Sequence, residues 1–179
     1  MSLPSENVID AARRPDEGWD TLASGVRVVA EEERRDRLVI RKVIQASCEE
    51  VFAAWIDPKS IGEWMCPGEI VTAEAQLDPR GGGTYRIVMK GTRAIDHTGE
   101  YLVVEPPSKL AFTWISKTTG NQPTLVTVEL FERGSACELV LTHERFANAD
   151  EVKRHQGGWG QIVDKLARYL ARRSPIRGD

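Results

Sequence analysis

The chain has three histidines, three cysteines and five tryptophans, and the spacing of these residues narrows the chemistry open to it. His155 precedes Trp159 by one helical turn, so an imidazole and an indole share a face of the segment 148–172. His143 closes a strand-like run in which Leu139, Leu141 and His143 alternate with Glu138, Val140 and Thr142. An imidazole set into an apolar wall serves either as a hydrogen-bonding anchor or as a general acid–base. Asp96-His97 is an adjacent carboxylate and imidazole, but it precedes Gly99 in what reads as a solvated hairpin loop. The three histidines have no ligand spacing, so no metal is expected. Cys48, Cys66 and Cys137 contain no C-x-x-C pair and read as free thiols. No G-x-S-x-G nucleophile elbow occurs. The run DPRGGG lacks the lysine and following helix of a phosphate loop, and reads as a turn. No cofactor is implied.

These side chains need elements to position them. In 148–172, Val152, Gln156, Trp159, Val163, Leu166 and Leu170 recur at three- and four-residue intervals with Ile162 beside them, the stripe of an amphipathic helix. Asn148 or Asp150 can cap its start. Gly157, Gly158 and Gly160 lie inside it, each costing about 1 kcal/mol relative to alanine. The helix either needs close backbone approach there or has room beside it, as the wall of a cavity.

Upstream, 38–46 alternates as a strand. Ser47 with Glu50 forms a capping box for a helix that buries Val51, Phe52 and Trp55. Asp57-Pro58 restarts the chain in a second short helix through Trp64. From Glu69 the pattern is β: 69–77, then 84–91 with Tyr85, Ile87 and Met89 on one face, then 98–105 ending at Pro106-Pro107. Next come 109–115 with Leu110, Phe112 and Trp114 on one face, 123–132, and 136–146, the last two joined at Arg133-Gly134-Ser135. One strand, two helices and then strands only argue α+β. The expected sheet is a curved antiparallel meander of six or seven strands around the C-terminal helix.

Length allows one domain with a sizeable core. Net charge is −3 and the pI about 5.7, which argues against general nucleic-acid affinity. Acids and bases nearly cancel in the run 31–37, so it is no nucleic-acid arm. No apolar run reaches the roughly 20 residues of a membrane span, and no signal-peptide core opens the chain. A cytoplasmic location is expected. Residues 1–36 read as a leader, either an arm on the domain or a second subunit or a solvated tail. Residues 37–173 form the domain, and 174–179 a C-terminal tail. Monomer and homodimer are both compatible with an exposed edge strand.

The segments VFAAWIDPKSIGEW, LDPRGGGTYRIVM, GEYLVVEPPSKLAFTW, LVLTHERF and HQGGWGQIVDKLARYL follow one another over 38–170. In order and spacing they resemble the helix-grip fold of the START-like (SRPBCC) superfamily. Within it, they are similar to bacterial proteins related to the C-terminal domain of the activator of the heat-shock-protein-90 ATPase. One departure is that the family often has a second tryptophan followed by proline after Trp64. Here Met65 and Cys66 precede Pro67, altering the mouth of any cavity. The resemblance implies an apolar ligand between sheet and final helix, or a chaperone contact like that of the eukaryotic activator's domain, or an enzyme, since some members are cyclases.

Three functions follow as expectations. The leading one is a non-catalytic module enclosing an apolar or amphipathic small molecule. The others are a co-chaperone-like protein-interaction module and an enzyme acting on a hydrophobic substrate through His143 or His155. The expected pocket residues are Trp64, Tyr85, Met89, Tyr101, Trp114 and Trp159, with His143 and His155 as polar anchors.

Overall fold

The computed structural model describes residues 36–173. The expectations for the tail at 174–179 and for all but Asp36 of the leader fall outside the described residues.

The element order follows from local signals. Strand β1 (Arg37–Ile44) runs into α1 (Cys48–Trp55). The hydroxyl of Ser47 accepts from the Glu50 N–H at 3.1 Å, and the Glu50 carboxylate accepts from the Ser47 N–H at 3.1 Å. The capping box is therefore complete. Helix α2 (Pro58–Trp64) starts from an Asp57 cap with proline at its first position. Six strands follow: β2 (Thr72–Leu77), β3 (Thr84–Lys90), β4 (Ala94–Glu105), β5 (Lys109–Trp114), β6 (Thr124–Arg133) and β7 (Ala136–Glu144). A short 3-10 turn, Lys117–Thr119, separates β5 from β6. The chain closes on α3 (Ala149–Arg173), whose first turn is capped by the Asn148 side chain accepting from the Glu151 N–H at 2.9 Å.

The seven strands form one antiparallel sheet in the order β1-β7-β6-β5-β4-β3-β2. The six later strands are a meander, and β1 pairs with β7 to extend it. The sheet is curved, as expected for an α+β helix-grip fold. One face carries the core. Tyr85, Ile87 and Met89 of β3, Leu110, Phe112 and Trp114 of β5, and Leu139, Leu141 and His143 of β7 are all buried. All but His143 pack with α1, α2 and the Trp159, Ile162, Val163 and Leu166 face of α3 in one apolar cluster. Gln156, expected on that face, is exposed.

The main correction concerns β4. Residues 94–97 read as part of a solvated hairpin loop, yet the strand begins at Ala94 and includes Asp96 and His97. The tight turn lies upstream, where the Gly91 N–H donates to the Arg93 carbonyl at 3.0 Å. Pairing sets Val88 opposite Asp96 and Ile87 opposite His97. Asp96 therefore faces outward to a bidentate contact with Arg86, at 2.9 and 2.7 Å, while His97 turns into the core at 4% exposure. Gly99 lies within the strand, where a Cβ would stand 2.0 Å from the Thr113 carbonyl oxygen. Glycine is required there by close backbone approach.

Candidate functional site: a cavity beside the long helix

A cavity of about 570 Å³ opens between the first half of α3, strands β3 to β5, and the segment following α2. That volume is in the range of small-molecule sites. Met89, Ile95, Trp114, Trp159 and Ile162 provide its apolar wall. His97, Thr118 and His155 add polar groups, and Glu69, Arg93 and Arg154 stand among the lining residues.

Of the glycines of α3, Gly158 lines the cavity. A Cβ on Gly157 or Gly160 would meet nothing within 4 Å, and one on Gly158 would reach only the Pro67 Cβ at 3.9 Å. Close backbone approach is not what these three glycines provide, and only Gly158 borders the cavity. The other rim includes Pro67, in the segment 66–68. It is tied to α3 at two points, by Lys165 donating to the Cys66 carbonyl and by the Gly68 N–H donating to the Gln161 side chain.

The sequence-predicted residues divide into two groups. Met89, Trp114, His155 and Trp159 line the cavity. Trp64, Tyr85, Tyr101 and His143 are buried in the core and do not. Tyr85 and Tyr101 flank a separate crevice of only about 10 Å³, which Trp114 also borders. Tyr85 donates to the Thr113 carbonyl at 2.5 Å, and Trp64 donates to Ser60 at 3.0 Å, so both polar ends are satisfied inside the fold.

Histidine chemistry is set by hydrogen bonding and burial. His143 is fully buried. The Trp159 indole N–H donates to its Nδ1 at 2.9 Å, and its Nε2 lies 2.7 Å from the Thr124 hydroxyl, which is 2.6 Å from the Trp114 carbonyl oxygen. An indole only donates and a carbonyl only accepts. The proton of His143 is therefore on Nε2, the Thr124 hydroxyl accepts it, and that hydroxyl donates onward to Trp114. Burial, then the neighbouring His155, holds the His143 pKa well below its usual 6.5.

His155 is also engaged at both nitrogens, with Nδ1 2.8 Å from the Glu151 carbonyl and Nε2 3.2 Å from the Thr118 hydroxyl. Burial lowers its pKa, opposed by that Glu151 bond. His97 stacks on Trp114 with ring centroids 4.5 Å apart. Burial depresses its pKa to about 4, although the backbone of Ile87 and Ile95 opposes the shift. No protein atom meets its Nδ1 in hydrogen-bonding geometry, and the Trp114 Nε1 is likewise unpartnered. In all three the shift favours the neutral imidazole. Among the described residues, no group of three or more His, Cys, Asp or Glu is placed to hold a metal ion, and no helix is long and apolar enough to cross a membrane.

Sequence reasoning missed His97, Thr118, Arg93 and Arg154. His97 carried a usable signal, because Ile95, His97, Gly99 and Tyr101 alternate with Asp96, Thr98 and Glu100. The arginines carried none. They are 61 positions apart and converge only through the fold.

A curved seven-stranded antiparallel sheet around a long C-terminal helix, with a cavity against that helix, defines a helix-grip domain of the START-like class. The chain belongs to the family described as Activator of Hsp90 ATPase homolog 1-like protein, whose model matches residues 45–171. Solved structures agree with the fold. The AHSA1-like protein of Aeromonas hydrophila superposes with a TM-score of 0.67 at 22% identity, over 79% of this chain and 96% of that one. Protein NE0264 of Nitrosomonas europaea gives 0.67 at 18% identity, over 79% and 98%. CalU16 of Micromonospora echinospora gives 0.61 at 26% identity, over 75% and 76%. Among curated proteins no match is found.

Proposed function

We propose that this domain is a non-catalytic binding module that encloses an apolar or amphipathic small molecule in the cavity beside α3. The observation that carries this reading is the cavity itself, walled by Met89, Ile95, Trp114, Trp159 and Ile162. Burying a ligand's apolar surface there stabilises the complex by roughly 25 cal/mol per Å² before the costs of association. The histidine geometry favours binding over catalysis. His143 cannot take a proton on Nδ1 without losing its bond to Trp159, and His155 already spends both nitrogens on protein partners. The protein-interaction alternative rests on exposed apolar residues. Val39, Val43, Val71, Leu102 and Phe131 are the large ones among the described residues, and they are spread over three strands and a loop. Val39, Val43 and Phe131 share the outer face of the sheet, where Glu138, ion-paired to Arg41 and Arg133, stands between Val43 and Phe131; an apolar surface broken by charges in this way is ordinary on a protein.

The test is a fluorescence titration with N-phenylnaphthylamine, an uncharged aromatic probe. The native protein is expected to bind one probe per chain, with energy transfer from Trp114 and Trp159. Gly158→Leu, which places a side chain in the cavity, is expected to lower affinity by about tenfold or more while the thermal transition is retained. Undetectable binding to the native protein, or equal binding by the variant, would overturn the reading.

A further inference from the structure

The mouth of the cavity carries a charge pattern that the apolar wall does not explain. Arg93 comes from the turn between β3 and β4, and Arg154 from the second turn of α3, and both line the same opening. Both are exposed. Four of the other described arginines, Arg41, Arg80, Arg86 and Arg133, pair with carboxylates, while Arg145, Arg168 and Arg172 show no such pair, so what sets Arg93 and Arg154 apart is their convergence on one opening. Among the described residues, neither Arg93 nor Arg154 has an ion pair or a side-chain hydrogen bond. The one carboxylate at that rim, Glu69, accepts from the Thr92 hydroxyl at 3.3 Å. Two cations thus face one anion at the opening of a protein whose overall net charge is −3. Deeper in, the cavity is aromatic and aliphatic, with the His97 ring stacked on Trp114.

We infer that the ligand is an amphipathic organic anion, with its ring-bodied apolar part against Trp114 and Trp159 and its carboxylate, sulfonate or phosphate at Arg93 and Arg154. This rests on the cavity reading above and adds the ligand's charge class to it. An apolar body alone gives neither guanidinium a partner. An anionic head supplies charge-assisted hydrogen bonds to both, and the planar fork of arginine suits such oxygens. The contact is partly exposed, so it weakens as salt screens it.

A matched pair of probes tests the inference. 1-Anilinonaphthalene-8-sulfonate and N-phenyl-1-naphthylamine share one aromatic skeleton and differ by the sulfonate. At low salt the sulfonate is expected to bind one per chain about tenfold more tightly than the neutral probe, and the ratio is expected to shrink at 0.5 M salt. In the double variant Arg93→Gln, Arg154→Gln the ratio should fall to about one. Arg172→Gln makes the same kind of charge change about 27 Å further along α3 and should keep the wild-type ratio. Equal affinity for the two probes, or a ratio unmoved by the double variant, would overturn the anion inference and leave the cavity reading standing. Failure of both probes to bind would instead remove the cavity reading itself.

Discussion

Trp159 donates its indole N–H to Nδ1 of His143 across 2.9 Å, joining the cavity helix to the last strand. The bond continues through Thr124 to the backbone carbonyl of Trp114, whose ring packs beside Trp159 with centroids 5.1 Å apart. The Trp159 indole and the Trp114 backbone are therefore joined by one buried polar chain. Every donor in it has an acceptor, which gives the wall a fixed shape.

Trp159→Phe retains an aromatic ring but removes the donor and part of the indole's volume. It leaves His143 Nδ1 buried without a partner, and is expected to cost about 1–3 kcal/mol. Trp159→Ala also empties ring volume and should cost about 3–5 kcal/mol. Urea midpoints at pH 7.5 give both values. A loss below about 0.5 kcal/mol for the phenylalanine variant would mean the chain contributes little.

Stability should fall with acid before the carboxylates titrate. His97, His143 and His155 all have folded-state pKa values below 6.5, so the unfolded chain takes up their protons first as pH drops. Their contribution is fully present above about pH 6.5 and is lost as pH falls. For His97 the window runs down to about 4. Each histidine adds up to about 1.4 kcal/mol per pH unit to the slope. Urea unfolding at pH 7.5, 6 and 5 measures this. His97→Phe preserves the stack on Trp114, removes the unpartnered Nδ1, and should reduce the slope by about one proton. A stability that is flat from pH 7.5 to 5 would contradict the assignment.

Glycines in this chain divide by what surrounds them. Gly157 and Gly160 have open space where a Cβ would go, so alanine at either should stabilise α3 by about 0.5–1 kcal/mol. Gly99 is the opposite case, because a Cβ there would lie 2.0 Å from the Thr113 oxygen and 2.6 Å from the Tyr85 ring. Gly99→Ala should cost more than about 2 kcal/mol. Thermal unfolding of the three variants should show midpoints moving up, up and down.

Much of the fold was legible because its signals are local. Ser47 with Glu50, Asp57-Pro58, the alternation of Tyr85, Ile87 and Met89, and the stripe of α3 each state an element within ten residues or so. The site was legible only in part. Trp159, His155, Trp114 and Met89 sit on faces that periodicity identifies, and they do line the cavity. Trp64, Tyr85 and Tyr101 have the same composition and lie in the core, because sequence does not say at which depth a sheet face stops packing and a cavity begins. His97 was hidden by Gly99, read as turn punctuation when its role is close approach to Tyr85. Arg93 and Arg154 become neighbours of one opening only after β4 and α3 are in place.

The central claim is that small molecules bind in the cavity beside α3. Its most direct test is a two-dimensional NMR titration of isotope-labelled protein with N-phenyl-1-naphthylamine, following indole and backbone amides together. The account predicts that the Trp114 and Trp159 indole resonances and the amides of Ile95, His97, Gly158 and Ile162 shift and saturate together at one probe per chain. Those of Val39, Val43 and Phe131, on the far face of the sheet, should stay in place. Shifts confined to that far face, or no saturable shift at all, would contradict it.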